Sequence, residues 1–455
     1  MIFSPLPAAS VHEWSILMIE LAVLVLMAAY LLMDQKPRIN EGLRISMKWA
    51  HRAVVGLFIF LAVQMIPLPG FLVQIVSPKA YAFRQVFSPG GRGASWMTLS
   101  LAPGRTLERS LELLSYVLLG FLVLRTVKRQ FQFRRIILTA MGVGVFEAFY
   151  GLFELYNKNP RILFYKKIYN LDSVTGTFVN RNHLSGYLEM IIPLAIGLII
   201  ARIGVFSLSG LKWREKILRF SEKGLTANIL ISLGIILMAV ALVFSRSRAG
   251  VFILFFSFVL FLGMTTISYG KSSDQKRWIG NFLRVVFIII LLIVVYVGTQ
   301  ATMERFALDK LLQEGRPALW ANTLRIISDF PLVGTGLGTF SSLYPDLYGE
   351  AGPLRLSHTH NDYLEFLSEL GIIGMLFLLA IVLIMLSRIL LVWSGRRYPE
   401  AKALALGGII AIFGILIHSI TDFNLHIPAN VLLFTIILSL TMVMVFYRRT
   451  ERKKP

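Results

Sequence analysis

The chain has 455 residues, of which 56% are hydrophobic and 16% charged, against roughly 25% charged in an average soluble domain. This balance excludes a water-soluble globular enzyme and points to an all-α polytopic membrane protein. The absence of cysteine excludes disulfides, thiolate metal sites and a cysteine nucleophile. The net charge of +21 does not imply nucleic-acid binding, because the basic residues flank apolar runs and form no soluble block with interleaved aromatics.

Crossing a hydrocarbon core of about 30 Å takes roughly 20 apolar residues. Such spans are expected near 14–33, 49–66, 107–127, 134–156, 184–206, 227–244, 249–269, 282–300, 363–393, 403–421 and 428–447, eleven in all. A re-entrant segment within 67–90 would change that count. Nothing between the spans is long enough for a separate soluble domain, so 1–455 reads as a single membrane domain containing one large loop, 301–360. The run Trp14 to Met33 has no basic segment before it and no small-residue cleavage site after it, which favours a retained span over a signal peptide.

Basic residues set the expected topology. The short connections 34–52, 125–135, 202–223, 271–284, 388–402 and 448–454 hold 29 of the 46 Lys and Arg residues. Positive-inside topology makes these cytoplasmic, with the C-terminus inside and the N-terminus outside. The remaining polar features then gather on the outer face.

The first of these features is Thr175-Gly176-Thr177-Phe178-Val179-Asn180-Arg181-Asn182-His183, directly before a span, with Asn182 as the expected helix N-cap and Arg181 as a candidate ligand-binding cation. The connection Ser245-Arg246-Ser247-Arg248-Ala249-Gly250 is too short to wander. Arg246 and Arg248 either snorkel to lipid headgroups or form a fixed pocket whose donor forks suit a diphosphate. In the large loop, Pro317 to Phe330 is expected to form an amphipathic surface helix with Leu319, Trp320, Leu324, Ile327 and Phe330 on one side. Arg316 would stand at its N-terminal end, where a positive charge costs about 0.3–1 kcal/mol unless an anion answers it. The glycines of Gly334-Thr335-Gly336-Leu337-Gly338 follow a helix and precede no helix start, so they read as a close turn under the loop, free to bring backbone near a ligand, and not as a dinucleotide site.

Ser357-His358-Thr359-His360-Asn361-Asp362 meets the longest apolar run, with Asn361 or Asp362 able to cap it. Gly371 and Gly374 would thin the helix for close packing. Three readings stand for the histidines: structural hydrogen bonding, a zinc site with a carboxylate, or a general base, which histidine's pKa near 6.5 favours at neutral pH. Asp422, in His418-Ser419-Ile420-Thr421-Asp422-Phe423-Asn424-Leu425-His426, would orient a histidine or pair with Arg246 or Arg248. It also reads as part of an interfacial turn. Glu20, Glu147, Glu154 and Glu189 fall within spans and keep a proton or ion path open as an alternative.

Taken together, these residues resemble the signature of the bacterial O-antigen ligase and O-antigen polymerase superfamily. His360 lies ahead of Gly371 with Asn361, Glu365 and Glu369 between them. The Gly176 to Asn180, Ser247 to Gly250, Gly334 to Phe340 and Asp422 segments follow the family order over roughly 175–430. The resemblance implies a metal-independent, inverting glycosyltransferase without cofactor on the periplasmic side of the inner membrane. Its implied partners are an undecaprenyl-diphosphate-linked glycan donor, a hydroxyl-bearing glycan or lipid A-core acceptor, and the bilayer. It implies His360 as the base and Arg248 and Arg316 as diphosphate ligands; the residues' own chemistry adds Arg246 and Arg181 as diphosphate-binding candidates and His358, Asn361 and Asp422 as supporting residues. Arg316 departs from the family's Arg-x-x-x-Leu spacing, because Leu319 follows it three residues on. Family ligases usually carry twelve spans, one more than the eleven read here. Ligase, chain polymerase and protein O-glycosylating members share these motifs, with the ligase preferred. A lipid-linked sugar flippase is the contrasting class, although no internal repeat supports it.

Overall fold

The computed structural model describes residues 1–33, 40–86, 95–157, 161–204, 225–268, 280–281, 283–292, 316–348, 357–396 and 398–447. The protein is an all-α multi-pass membrane protein. The only strands among the described residues are two-residue antiparallel pairs, Leu68↔Met97 to Pro69↔Trp96 and Arg161↔Lys166 to Ile162↔Tyr165.

In chain order the helices are α1 (Glu13–Leu32), α2 (Glu41–Met65), α3 (Gly70–Val76), α4 (Pro78–Val86), α5 (Pro103–Thr126), α6 (Gln130–Asn157), α7 (Arg181–Gly204), α8 (Leu225–Phe244) and α9 (Arg248–Ser268). They continue with α10 (Leu283–Leu292), α11 (Arg316–Asp329), α12 (Phe340–Leu347), α13 (Asp362–Ser394), α14 (Pro399–His418) and α15 (Pro428–Phe446). Among the described residues nine are long and apolar enough to cross a membrane: α1, α2, α6, α7, α8, α9, α13, α14 and α15. The expected span at 107–127 is the 24-residue helix α5, whose first turns carry Arg105, Glu108, Arg109 and Glu112 and so break the apolar run. Of the expected span 282–300, Leu283–Leu292 is described as α10, and 293–300 lie outside the described residues. The basic C-terminal tail, residues 301–315 and residues 349–356 lie outside them as well.

Burial sorts the helices into a centre and a rim. Leu184, Leu188, Ile191, Ala195 and Leu198 of α7 are all buried, whereas Leu17, Leu21 and Leu24 of α1 are more than half exposed and face the surroundings, as lipid-facing side chains do. α7 and α14 meet backbone to backbone. A Cβ on Gly197 would stand 2.8 Å from the carbonyl oxygen of Ala403, and one on Gly407 2.5 Å from that of Pro193. Small residues permit this approach, which lets dispersion act between main chains in an apolar solvent.

A second, smaller core caps one end of the bundle. Val73 and Ala80 of α3 and α4 pack there with Leu57 and Leu61 of α2, Leu319 and Ile326 of α11, Phe340 of α12 and Leu370 of α13. Segment 67–90 thus supplies two short helices of this cap up to Val86. The buried side of α11 is Leu319, Thr323 and Ile326, continued by Phe330, while Leu324 is 53% exposed. The expected stripe through Trp320, Leu324 and Ile327 is therefore rotated, because α11 lies on α13 and the cap.

α13 is broken at Gly371, whose φ of +61° and ψ of −172° interrupt the helix. The freed N–H groups of Ile372 and Ile373 donate to the carbonyls of Pro331 and Leu332, just past α11, at 2.9 and 3.1 Å. Any Cβ at Gly371 would lie 2.5 Å from the backbone of Gly334 and Leu332. The expected thinning at Gly371 is thus a crossing of two backbones.

Candidate functional site

Four helices begin at the same end of the bundle, and their first turns build the site. α7 starts at Arg181, α9 at Arg248, α11 at Arg316 and α13 at Asp362. The connection 419–427 between α14 and α15 ties α7, α11 and α13 there, and α9 packs on α7.

The α7 start is capped by Asn180, not Asn182. Asn180 accepts the N–H of Asn182 on its side-chain oxygen at 2.9 Å and the N–H of His183 on its carbonyl at 3.1 Å. Asn182 is spent elsewhere, donating its amide to Oδ2 of Asp422 at 2.5 Å. At the start of α13, Asn361 is the cap and accepts the N–H of Leu364 at 3.1 Å. The N–H of Asp362 donates to the carbonyls of Ser419 and Asp422 at 2.9 and 3.2 Å. This pins α13 to the connecting loop.

Asp422 is the hub. Its side chain is 1% exposed. Oδ1 lies 3.1 Å from Nδ1 of His360, accepts the N–H of Phe423 at 2.9 Å and lies 3.5 Å from Nε2 of His183. Burial pushes its carboxyl upward, but the hydrogen bonds and charges of His183 and His360 outweigh burial and hold it well below the usual carboxylate range. A carboxylate only accepts, so His360 presents an N–H from Nδ1 to Asp422, and Nε2 is the ring nitrogen turned away from it. His360 itself has a φ of +52°, an uncommon backbone for a side chain of its size. Of the two arrangements expected for Asp422, the structure has the contact with a histidine, while Arg246 is ion-paired with Asp172.

Arg316 also reaches this hub. It donates from Nη1 to the carbonyl of Thr421 at 2.8 Å, and its Nη2 is 3.9 Å from Oδ2 of Asp422. The charge conflict at the start of α11 is thereby partly answered by an acid of the chain itself. Trp320 fixes the next turn, donating to the carbonyl of Thr359 at 3.0 Å. Arg246 sits in the turn between α8 and α9 with a φ of +57°. Gly250 brings the first turn of α9 against Ser185 of α7, its Cβ position 2.3 Å from Oγ. The structure therefore gathers His358, His360, Asn361, Arg316 and Asp422 around one loop, with Arg181 and Arg248 opening the two adjacent helices. Arg246 is turned toward Asp172.

Sequence reasoning passed over a second layer. Glu365 lies 2.7 Å from Nδ1 of His358 and 3.5 Å from Nε2 of His426, and His426 Nδ1 lies 2.6 Å from Asp362. Burial lowers the pKa of His426, but the charge of Glu365 and the hydrogen bond and charge of Asp362 prevail and raise it to about 9. Phe423 is shared: His358 stacks on it at 4.1 Å, while His360 and His183 meet it edge-on at 4.8 and 4.5 Å. The only prior signal was Glu365 three to four residues into the helix after the histidines. Among the described residues no three His, Asp or Glu side chains are grouped as a metal site.

The glycine turn holds an anion, and that anion belongs to the protein. Gly334, Gly336 and Gly338 all have positive φ. The N–H groups of Gly338 and Phe340 donate to the two carboxylate oxygens of Glu369 at 2.8 and 2.9 Å.

Comparison with known proteins gives two likenesses. Residues 233–379 match the O-antigen ligase family model, a stretch that includes Arg248, Arg316, the glycine turn, His360 and Gly371. Over 318 residues the chain is 25% identical to the exopolysaccharide production protein ExoQ of Rhizobium meliloti strain 1021, covering 67% of this chain and 65% of that protein. These two matches make the chain similar to the O-antigen ligase family over 233–379 and to one exopolysaccharide production protein over a longer stretch.

Proposed function

We propose that the protein transfers a glycan from an undecaprenyl-diphosphate carrier to a hydroxyl acceptor during surface polysaccharide assembly, on the periplasmic side of the inner membrane with its C-terminus in the cytoplasm. The observation that carries this reading is the His360–Asp422 pair at 3.1 Å, with an arginine 3.9 Å from the same carboxylate.

The chemistry asks for little else. A diphosphate leaves readily once its charge is neutralised, so cationic clamps and one base are enough. Asp422 holds the imidazole of His360 with Nε2 free to take the acceptor's proton. That oxygen attacks the anomeric carbon from the face opposite the departing diphosphate, which inverts the centre. Arg316 and Arg248 bind the diphosphate, supported by Arg181, and Arg246 joins them only on leaving Asp172. Three of these arginines open helices, where the backbone dipole also favours anions. The basic connections 34–52 and 125–135 support the orientation in the membrane.

A second reading within the same chemistry is chain polymerisation, which the similarity to a protein named for exopolysaccharide production favours over ligation to a lipid A core. Protein in nanodiscs, given a synthetic undecaprenyl-diphosphate glycan, is expected to release the free lipid diphosphate in EDTA. His360→Ala should stop that release. Persistent release by a well-folded variant would remove His360 as the base, and loss of activity in EDTA restored by zinc would replace this mechanism with a metal-dependent one. The mass of the product separates ligation from polymerisation.

A further inference from the structure

His358 repeats the arrangement of His360. Its Nδ1 lies 2.7 Å from Oε1 of Glu365, whose second oxygen accepts the N–H of Thr359 at 2.9 Å. Glu365 is buried, with donors on both oxygens and His426 3.5 Å away. It therefore acts as an acceptor-only carboxylate, which places an N–H of His358 on Nδ1 and turns Nε2 away from it.

Both rings pack on Phe423, and both keep one edge open. Their side chains are 22% and 26% exposed, while the carboxylates behind them are 2% and 1% exposed. The open edge is thus the one turned away from each carboxylate. The Nε2 atoms of His183, His418 and His426 are instead buried. Both partly exposed imidazoles therefore meet on one ring, His358 at 4.1 Å and His360 at 4.8 Å from the centroid of Phe423.

We propose that His358 is a specificity-determining residue whose Nε2 accepts a hydrogen bond from the hydroxyl adjacent to the one deprotonated by His360, so that the preferred acceptor is a sugar with two neighbouring free hydroxyls. This rests on the reading of His360 as base. A bare imidazole nitrogen repels phosphate oxygens and takes hydroxyl protons, which assigns this side of the site to the acceptor and the arginine side to the donor. Thr359 holds the other oxygen of Glu365 at 2.9 Å, so one half of the carboxylate is anchored independently of His358.

The test uses the full-length protein in nanodiscs, the synthetic undecaprenyl-diphosphate glycan, and as acceptors methyl glucoside, methyl galactoside and their single-deoxy analogues. In the wild type, removing the hydroxyl next to the attacking one is expected to lower kcat/KM about tenfold, the usual worth of one neutral hydrogen bond. In His358→Gln that penalty should vanish, with the intact sugar falling to the level of its deoxy analogue. His358→Phe, which keeps the stack on Phe423, should behave in the same way and covers the case in which the glutamine variant does not fold. Equal loss for both acceptors in either variant, or no penalty in the wild type, overturns the proposal. So does failure of every methyl glycoside to react while lipid diphosphate is still released in the assay. No release under any condition overturns the transfer reading itself.

Discussion

Gly338 donates its N–H to Oε2 of Glu369 at 2.8 Å, closing a glycine-rich turn on a carboxylate 31 residues further along the chain. Phe340 binds the other oxygen, so a motif shaped for an anion is already filled. Glu369→Ala should orphan two backbone donors at about 1–3 kcal/mol each. The measurement is the unfolding midpoint in detergent, expected to drop for Ala and less for Gln, which keeps one acceptor. Equal midpoints for all three proteins would show that the turn is held by other bonds.

Asp422→Asn is expected to keep the fold and lose most of the activity. The amide could still meet Asn182 or Phe423, but it would no longer fix the tautomer of His360 or stabilise its imidazolium. The turnover rate should drop by about 10²–10⁴, with donor KM nearly unchanged. A variant with wild-type turnover would mean that His360 needs no partner.

Stability should depend on pH through His426. Its folded pKa of about 9 lies above the ordinary value near 6.5, so its contribution is complete below that lower value and disappears as pH rises through about 9. The contribution is on the order of 3 kcal/mol. Unfolding followed between pH 6 and 10 should show this decline, and His426→Gln should flatten it. Asp422 acts in the opposite direction: its pKa is depressed, so its contribution is present above the unfolded carboxylate value and disappears only as pH falls through the folded one.

Gly371→Ala tests the crossing of backbones. The residue has positive φ, and the added methyl would sit 2.5 Å from main-chain atoms that cannot move aside cheaply. We expect a loss of several kcal/mol or no folded protein, whereas Gly395→Ala, with open space around its Cβ position, should be nearly silent. Comparable expression and melting of the two variants would contradict the geometry.

The parts of this site that were legible in the sequence are those that local chemistry decides. Arg248 and Arg316 open helices, Asn361 caps one, and glycines mark a tight turn. Pairings across the chain were not legible. His360 and Asp422 are 62 residues apart, and His426 and Asp362 are 64 apart, with no periodicity to link either pair. Asn182 shows how a tertiary partner overrides a local preference: both asparagines before α7 could cap it, and Asp422 claims one. The rotated face of α11 has the same origin. Its apolar residues form two overlapping stripes, and the cap decides which one is buried.

The break in α13 sets how the two halves of the site can move. Because Ile372 and Ile373 are bonded to carbonyls at the end of α11, the helix that carries Arg316 and the segment that follows His360 are spliced into a single bracket by main-chain bonds. On the roles proposed for Arg316 and His360, this main-chain bracket would keep donor and base in register while side chains around the pocket change.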